Sequence, residues 1–126
     1  MGRIMIVDDS RISRKVLKNL LEGNGHIIVG EAGNGIDALR MYGELKPDLV
    51  TMDITMPGMD GIECLQKLKS DHPEAKVMMI TAAGQKEKML EAIRLGCVDY
   101  VLKPFEEETL RQIVAKHTGE ETDPLH

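Results

Sequence analysis

The sequence has almost no aromatic residues: two tyrosines, one phenylalanine and no tryptophan among 126 residues. It therefore lacks the series of stacking rings with which proteins bind single-stranded nucleic acid. Acidic residues outnumber lysine and arginine by 21 to 16, and we find no basic cluster that would attract a phosphate backbone. These deficits predict a protein that does not bind nucleic acid.

Long apolar runs and closely spaced cysteines are also missing. No run approaches the length of about 20 residues that a membrane-spanning helix needs, and the amino terminus lacks a secretory signal pattern. Cys64 and Cys97 have no metal-ligand spacing, so we expect reduced thiols in the core of a soluble, cytoplasmic protein without membrane contact. Aliphatic side chains and nine methionines must fill that core.

What the chain does have is a regular alternation. Short apolar runs stand at residues 4–7, 27–29, 49–52, 77–80 and 100–102, and stretches of helical periodicity follow them. Capping side chains precede three of these stretches, at Ser10, Asn34 and Asp60. Glycines stand where three of them should end, at Gly23, Gly43 and Gly96. This alternation predicts an α/β fold in which a parallel sheet carries helices on both faces.

The domain organisation is predicted to be simple. Residues 1–118 are expected to form one domain, since 126 residues suit one sizeable core and we find no linker. Residues 119–126 have the composition of an acidic, disordered tail.

Polar side chains end four of the five apolar runs. Asp8 and Asp9 follow the first run, Asp53 ends the third, Thr81 the fourth and Lys103 the fifth. Taken singly, each of them reads most simply as a cap or a turn residue. Because ligands of open α/β sheets bind outside the carboxyl ends of the strands, we expect all five side chains to lie together there.

This set of groups predicts a particular chemistry. Three crowded carboxylates repel one another, so at neutral pH they need a cation. Oxygen ligands without histidine or cysteine select Mg²⁺ or Mn²⁺ over Zn²⁺. A carboxylate can attack phosphorus to form an aspartyl phosphate, and a lysine and a hydroxyl can then bind the phosphoryl oxygens.

The motifs Asp8-Asp9, Asp53, Thr81 and Lys103-Pro104 resemble those of the receiver domain of two-component response regulators. The resemblance covers roughly residues 2 to 117, and residues 50–57, 84–85 and 101–105 look like the single-domain chemotaxis regulators. It implies a flavodoxin-like (βα)5 fold, a doubly wound sheet of five parallel strands in the order 2-1-3-4-5 with helices on both faces.

The resemblance also implies a phosphorylation switch. Asp53 would accept a phosphoryl group from the phosphohistidine of a histidine kinase, and Lys103 would bind that group. Thr81 would move towards it, and Tyr100 would change rotamer with Thr81. The fourth helix, fifth strand and fifth helix would form the output face, so we expect the surface around Leu90, Tyr100 and Leu110 to change on phosphorylation.

The metal site and the partners follow from the same resemblance. Asp9, Asp53 and the Thr55 carbonyl would ligate Mg²⁺ (or Mn²⁺), Asp8 would act mainly through water, and the peptide bond before Pro104 would be cis. Besides the kinase, the resemblance implies a protein output target, such as a flagellar motor switch or a phosphatase. The chain itself is expected to be a monomer.

Several alternatives differ from a chemotaxis switch. The nearest is a stand-alone phosphorelay protein or another single-domain regulator outside chemotaxis. A receiver-like scaffold that is never phosphorylated is disfavoured by the complete set of five side chains. A haloacid-dehalogenase-type phosphatase needs a second aspartate two residues after the nucleophile, where this chain has Thr55. A flavin module needs a Ser/Thr/Gly loop after the first strand, where Asp8 and Asp9 would repel the flavin phosphate. The resemblance to receiver domains implies instead that the chain catalyses only its own phosphorylation and dephosphorylation.

Overall fold

The computed structural model of the protein describes residues 2–119. Strands and helices alternate five times within that range, as the sequence pattern predicts. In chain order the elements are β1 (Arg3–Val7), α1 (Arg11–Gly23), β2 (Ile27–Ala32), α2 (Gly35–Leu45), β3 (Leu49–Asp53), α3 (Gly61–Asp71), β4 (Val77–Ala82), α4 (Lys86–Leu95), β5 (Asp99–Lys103) and α5 (Glu107–His117). The predicted acidic tail at residues 119–126 lies, apart from Gly119, outside the described residues.

The strands form one parallel sheet in the order β2-β1-β3-β4-β5. The predicted fold class and strand order are therefore confirmed. β1 and β3 lie side by side, with Ile4 opposite Leu49 and Val7 opposite Met52. The chain crosses from one side of β1 to the other between β2 and β3, so the strand order reverses at the carboxyl ends of β1 and β3. Ligand sites of open α/β sheets form at such a reversal.

Two apolar layers cover the sheet, because successive side chains of a strand point to opposite faces. On one face Met5, Val50 and Met79 pack with side chains of α2, α3 and α4. On the other face Ile6 and Ile80 pack with side chains of α1 and α5. The central strands are buried on both faces, which explains why their sequences are continuous apolar runs rather than alternating ones.

The predicted helix starts are confirmed by their hydrogen bonds. Ser10 caps α1 by accepting from the Ser13 N–H at 3.1 Å. Asn34 and Asp60 cap α2 and α3 in the same way, by accepting from the third residue along. Each cap satisfies an N–H that has no partner within its helix.

The expectation that Gly43 ends the second helix is wrong. α2 continues to Leu45, and Lys46 closes it in the left-handed conformation, with φ of 45°. Arg3, which lies on β1 and outside the helix, stabilises this end of α2. Its guanidinium donates to the Leu45 carbonyl at 2.8 Å and to the Lys46 carbonyl at 2.9 Å. A distant arginine thus satisfies terminal carbonyls that local sequence would leave open.

Cys64 is fully buried and Cys97 half-buried, and both are free thiols. Burial raises the pKa of the Cys64 thiol to about 12 and also raises the pKa of Cys97. Both therefore remain protonated and act as small core residues. Among the described residues, no helix is long and apolar enough to cross a lipid bilayer.

Candidate functional site

The carboxyl ends of three strands bring the acidic residues and the lysine together. Carboxylate oxygens of Asp8, Asp9 and Asp53 all lie within 4.8 Å of one another. The Lys103 ammonium, at the end of β5, lies 3.3 Å from the Asp8 carboxylate and 3.5 Å from that of Asp53. Four of the five predicted side chains thus form one cluster. It lies where the strand order reverses.

The backbone around Asp8 is held by hydrogen bonds of several kinds. Its N–H donates to the Ala32 carbonyl at 3.0 Å, which extends the pairing of β1 with β2 by one residue. Its carboxylate accepts from the Ser10 N–H at 2.8 Å, so it stabilises the turn into α1. Asp8 is buried at 7% exposure, whereas Asp9 is exposed. Asp8 therefore combines a structural role with its place in the cluster.

Asp53 is held at the last position of β3, with its side chain 14% exposed. The Thr55 N–H donates to its carboxylate at 3.4 Å. The turn that follows brings Gly61, the first residue of α3, so close that a Cβ there would overlap the Asp53 carbonyl oxygen and stand 2.8 Å from the Ile54 Cα. The Gly61 N–H donates to the Ile54 carbonyl at 2.6 Å. The glycine lets α3 begin directly beside the acidic cluster.

The cluster is short of positive charge. Burial raises the pKa of the Asp53 carboxyl above its usual value, the Lys103 ammonium lowers it and the Asp8 carboxylate raises it, with a net upward shift. Three carboxylates face one ammonium, so two negative charges are left without a partner in the cluster. An oxygen-only donor set with excess negative charge fits a hard divalent cation such as Mg²⁺ or Mn²⁺.

Comparisons with known proteins agree with this geometry. Residues 4–115 match the model of the response regulator receiver domain. The chain belongs to the receiver domain family. It is 43% identical over 114 residues to chemotaxis protein CheY of Bacillus subtilis, covering 90% of this chain and 95% of that protein. It is 44% identical over 119 residues to protein CcdB of Bacillus subtilis, covering 94% of this chain and 99% of that protein.

Solved structures show the same relationship. A chain of the crystal structure of the CheX-CheY-BeF3-Mg²⁺ complex from Borrelia burgdorferi matches with a TM-score of 0.86 and 33% identity. The match covers 90% of this chain and 87% of that one. The receiver domain of NtrX from Brucella abortus matches with a TM-score of 0.85 and 31% identity, over 94% of this chain and 99% of that one.

Thr81 of this receiver domain is not hydrogen-bonded to the acidic cluster within the described residues. It lies on β4 directly after Ile80, the residue that pairs with Asp53. It is buried at 1% exposure, and between residues 2 and 119 the one hydrogen bond of its hydroxyl is long, at 3.5 Å to the Ala82 carbonyl. Thr81 is thus one residue beyond the position that pairs with Asp53, and its hydroxyl is held by a weak hydrogen bond.

Tyr100 stands on β5 with 45% of its surface exposed. It pairs with Met79, two residues before Thr81 on β4, so Tyr100 and Thr81 point to the same face of the sheet. Leu90, Ile93 and Leu102 join Tyr100 in lining a surface cavity of about 350 Å³ between α4 and β5. Leu110, which we expected at this surface, is fully buried in the core, so that part of the expectation is wrong.

Thr55, the predicted carbonyl ligand, lies exposed in the loop after β3. Its hydroxyl accepts from the Gln85 side-chain amide at 3.3 Å, which links this loop to the start of α4. The sequence carries no signal of this link, because nothing in it pairs Thr55 with a glutamine 30 residues away. The Lys103–Pro104 peptide bond beside the cluster is cis.

Proposed function

We propose that the protein is a phosphorylation-activated signalling switch, in which Asp53 accepts a phosphoryl group from the phosphohistidine of a histidine kinase. The observation that carries this proposal is the convergence of Asp8, Asp9, Asp53 and Lys103 at the strand-order reversal. Asp53 ends a central strand, so rigid backbone holds the nucleophile. The family match supports the same assignment.

The transfer is a displacement at phosphorus. A carboxylate oxygen of Asp53 forms the new bond to phosphorus, while the bond from phosphorus to the donor's ring nitrogen breaks and leaves its electron pair on the imidazole. The Lys103 ammonium, which lies between the Asp8 and Asp53 carboxylates, donates to the phosphoryl oxygens. Water later attacks phosphorus, the bond from phosphorus to the Asp53 oxygen breaks and leaves its electron pair on the carboxylate, and the release of inorganic phosphate resets the switch. The protein catalyses no turnover beyond these two steps.

The acidic residues fit a bound Mg²⁺. Asp9, Asp53 and the Thr55 carbonyl would hold it directly, and Asp8 would act mainly through water. When bound, it neutralises charge on the phosphoryl group. The presence of Mg²⁺ in the structure of the similar Borrelia CheY complex supports this part of the proposal. Asp8 keeps its hydrogen bond from Ser10 and holds the turn that presents Asp9.

The output depends on Thr81 and Tyr100. A phosphoryl group on Asp53 adds strong acceptor oxygens one strand away from the Thr81 hydroxyl, whose present hydrogen bond is long. Movement of Thr81 frees space on the face of the sheet that Tyr100 shares, and Tyr100 turns inward from its exposed position. The cavity lined by Leu90, Ile93 and Leu102 then changes shape.

Chemotaxis is the pathway we propose first, with a flagellar motor switch or a phosphatase as the target at this face. Similarity to proteins named CheY supports it. A single-domain regulator or phosphorelay protein outside chemotaxis is the second candidate, which the equal similarity to CcdB favours. We place the switch in the cytoplasm as a monomer formed by residues 1–118. The free thiols Cys64 and Cys97 support a reducing compartment.

The phosphoacceptor role is tested by incubation with acetyl phosphate and Mg²⁺, followed by intact mass measurement. We expect wild type to gain one phosphoryl group and Asp53→Asn to gain none. Phosphorylation of Asp53→Asn at the wild-type rate would refute the assignment. Omitting Mg²⁺ should prevent the gain in wild type, because two negative charges of the cluster then oppose the phosphoryl donor.

The output role is tested with beryllofluoride, a stable phosphoryl mimic. Amide chemical shifts around Leu90, Ile93 and Tyr100 should change on its addition to wild type. In Thr81→Ala these shifts should stay near their starting values although the mimic still binds. Equal changes in both proteins would show that Thr81 does not carry the signal.

A further inference from the structure

Arg14 reaches from the first turns of α1 to the backbone of the acidic cluster. Its Nη1 donates to the Asp8 carbonyl oxygen at 2.6 Å, and its Nε donates to the Glu31 carboxylate on β2 at 3.3 Å. The Arg14 side chain is only 17% exposed. A guanidinium has its donors in one rigid plane, so two simultaneous bonds fix its orientation. Arg14 therefore joins α1, β2 and the loop after β1 at one point.

The bond from Arg14 completes the support of the Asp8 main chain. The Asp8 N–H already donates to the Ala32 carbonyl, and the Arg14 guanidinium satisfies the Asp8 carbonyl on its other side. That carbonyl belongs to the planar peptide unit that joins Asp8 to Asp9. Holding its oxygen in place fixes the orientation of the plane. Because the nitrogen and Cα of Asp9 lie in that plane, the direction of the Asp9 side chain is then limited to rotation about one bond, N–Cα.

The peptide unit after Asp9 is held as well, since the Ser10 N–H donates to the Asp8 carboxylate at 2.8 Å. The Asp9 side chain itself has no such support in the part of the chain that the structure describes. Within residues 2–119 no hydrogen bond or ion pair from a side chain holds its carboxylate, and Asp9 is exposed. Its carboxylate nevertheless lies within 4.8 Å of the carboxylates of Asp8 and Asp53. Its position must therefore come from the backbone, and the peptide unit that Arg14 holds is the one immediately before it.

We propose that Arg14 is a positioning residue for the metal site: through the Asp8 carbonyl it holds Asp9 where a divalent cation can be shared with Asp53. This inference depends on the proposed function, since it assigns a purpose to the same cluster. Glu31 supports this arrangement, because its carboxylate accepts from Arg14 Nε and so helps to fix the orientation of the guanidinium. Arg14 touches neither the cation nor the phosphoryl group, and acts only through the main chain.

Removal of Arg14 should change Mg²⁺ affinity in the direction opposite to the one that its charge alone would give. Arg14 carries a positive charge near the cluster, so if charge alone mattered, its removal would tighten Mg²⁺ binding. If Arg14 positions Asp9, its removal must weaken Mg²⁺ binding. Loss of outer contacts to metal ligands typically costs about 10- to 100-fold in affinity.

Lys18 offers a matched control on the same helix. Its ammonium lies 3.6 Å from the other carboxylate oxygen of Glu31, but among the described residues it makes no bond to the Asp8 backbone. Lys18→Met therefore removes the same charge and disturbs the same glutamate as Arg14→Met. It leaves the Asp8 carbonyl bond in place.

The experiment is a Mg²⁺ titration followed by amide chemical shifts, in wild type, Arg14→Met, Arg14→Lys and Lys18→Met. We expect about 10-fold or greater loss of affinity in Arg14→Met and a change within about 2-fold in Lys18→Met. Arg14→Lys should resemble Arg14→Met, because one ammonium cannot reproduce the planar pair of bonds. Wild-type or tighter Mg²⁺ binding in a folded Arg14→Met would overturn the proposal, as would full rescue by lysine.

The Asp9 amide signal and a second Arg14 variant test the same role independently. In metal-free protein the Asp9 amide signal should broaden or shift in Arg14→Met and stay unchanged in Lys18→Met. If Arg14→Met does not fold, Arg14→Lys carries the test alone, because it keeps the positive charge and loses the planar pair of bonds to the Asp8 carbonyl and the Glu31 carboxylate. Weaker Mg²⁺ binding in Arg14→Lys then cannot be assigned to charge, and wild-type affinity would overturn the proposal. Absence of Mg²⁺ binding in wild type would instead refute the metal site of the proposed function.

Discussion

The Lys103 ammonium lies 3.5 Å from the Asp53 carboxylate and 3.3 Å from that of Asp8, in the middle of the acidic cluster. It is the one cation of that cluster within the described residues, and it has to serve two purposes. Before phosphorylation it lowers the repulsion between the two carboxylates. During transfer it can donate to the phosphoryl oxygens.

Replacing Lys103 should change Mg²⁺ affinity and the phosphorylation rate in opposite directions. In Lys103→Met we expect tighter Mg²⁺ binding, since a competing positive charge has left the site, and phosphorylation by acetyl phosphate slower by about 100-fold. Lys88→Met is a suitable control, because it removes the same charge and Lys88 pairs with Asp60, at 3.4 Å, rather than with a carboxylate of the cluster. Mg²⁺ titration and phosphorylation rates measure both effects. A phosphorylation rate equal to wild type would show that Lys103 does not contact the phosphoryl group.

The acidic cluster should cost the fold some of its stability. Asp53→Asn removes one of three mutually repelling carboxylates, so without metal the free energy of unfolding at pH 7 should rise by something on the order of 1 kcal/mol. Burial raises the pKa of Asp53 in the folded protein, so the ionised form opposes folding. The cost is therefore present at neutral pH and disappears as the pH falls towards the ordinary carboxyl value of 3.8.

Urea unfolding of both proteins in EDTA at several pH values measures this cost. The exposed Glu91→Gln on α4 is the control, since it removes a carboxylate that lies outside the cluster. An Asp53→Asn protein that is less stable than wild type at pH 7 would contradict the account of the charges.

Two glycines should respond to alanine with opposite signs. Gly61→Ala forces a Cβ against the Asp53 carbonyl and the Ile54 Cα, so the protein should lose about 2–3 kcal/mol of stability. Gly43→Ala, inside α2 with open space around the new methyl, should gain about 0.5–1 kcal/mol. Thermal unfolding measures both changes. A Gly61→Ala protein as stable as wild type would mean that α3 does not begin as close to Asp53 as described.

The pair of glycines also shows what sequence alone could and could not predict. The alternation of apolar runs, the caps at Ser10 and Asp60, and the gathering of polar groups at strand ends follow from local patterns, and the structure has them. Gly43 and Gly61 look alike in sequence. They differ in their tertiary surroundings: the backbone of Asp53 and Ile54 lies against Gly61, whereas no other atoms lie near a Cβ at Gly43.

Contacts between distant segments also explain the other features that the sequence did not predict. α2 runs past Gly43 because Arg3, more than 40 residues earlier, donates to its last carbonyls. Leu110 is buried because the apolar side of α5 packs on the sheet, and periodicity alone did not say which residue of that side faces solvent. Arg14 was missed because nothing in sequence tells which cation of α1 reaches back to the Asp8 carbonyl.

Acid should weaken the protein through His26. This side chain is buried at 5% exposure, and its Nδ1 accepts from the Gly2 N–H at 3.0 Å. Burial lowers the pKa of His26 below its ordinary value of 6.5, so the unfolded chain binds a proton more readily than the folded one. Stability should therefore fall as the pH drops below 6.5, by at most about 1.4 kcal/mol per pH unit from this group.

The control for this effect is His26→Gln, in which the side-chain carbonyl can still accept from Gly2 but does not titrate. Urea unfolding between pH 7.5 and about 5.5 should show a smaller pH dependence in the variant than in wild type. Identical slopes in the two proteins would assign the acid sensitivity to other groups.

The central claim is that Asp53 alone receives the phosphoryl group, and chemical mapping tests it most directly. Wild-type protein is phosphorylated with acetyl phosphate and Mg²⁺, and borohydride then reduces the acyl phosphate to an alcohol before peptide mass analysis. The account predicts one reduced residue, homoserine at position 53, and none at Asp8 or Asp9. Reduction at either of those residues in place of Asp53, or no reduced residue in protein that has gained the phosphoryl mass, would contradict it.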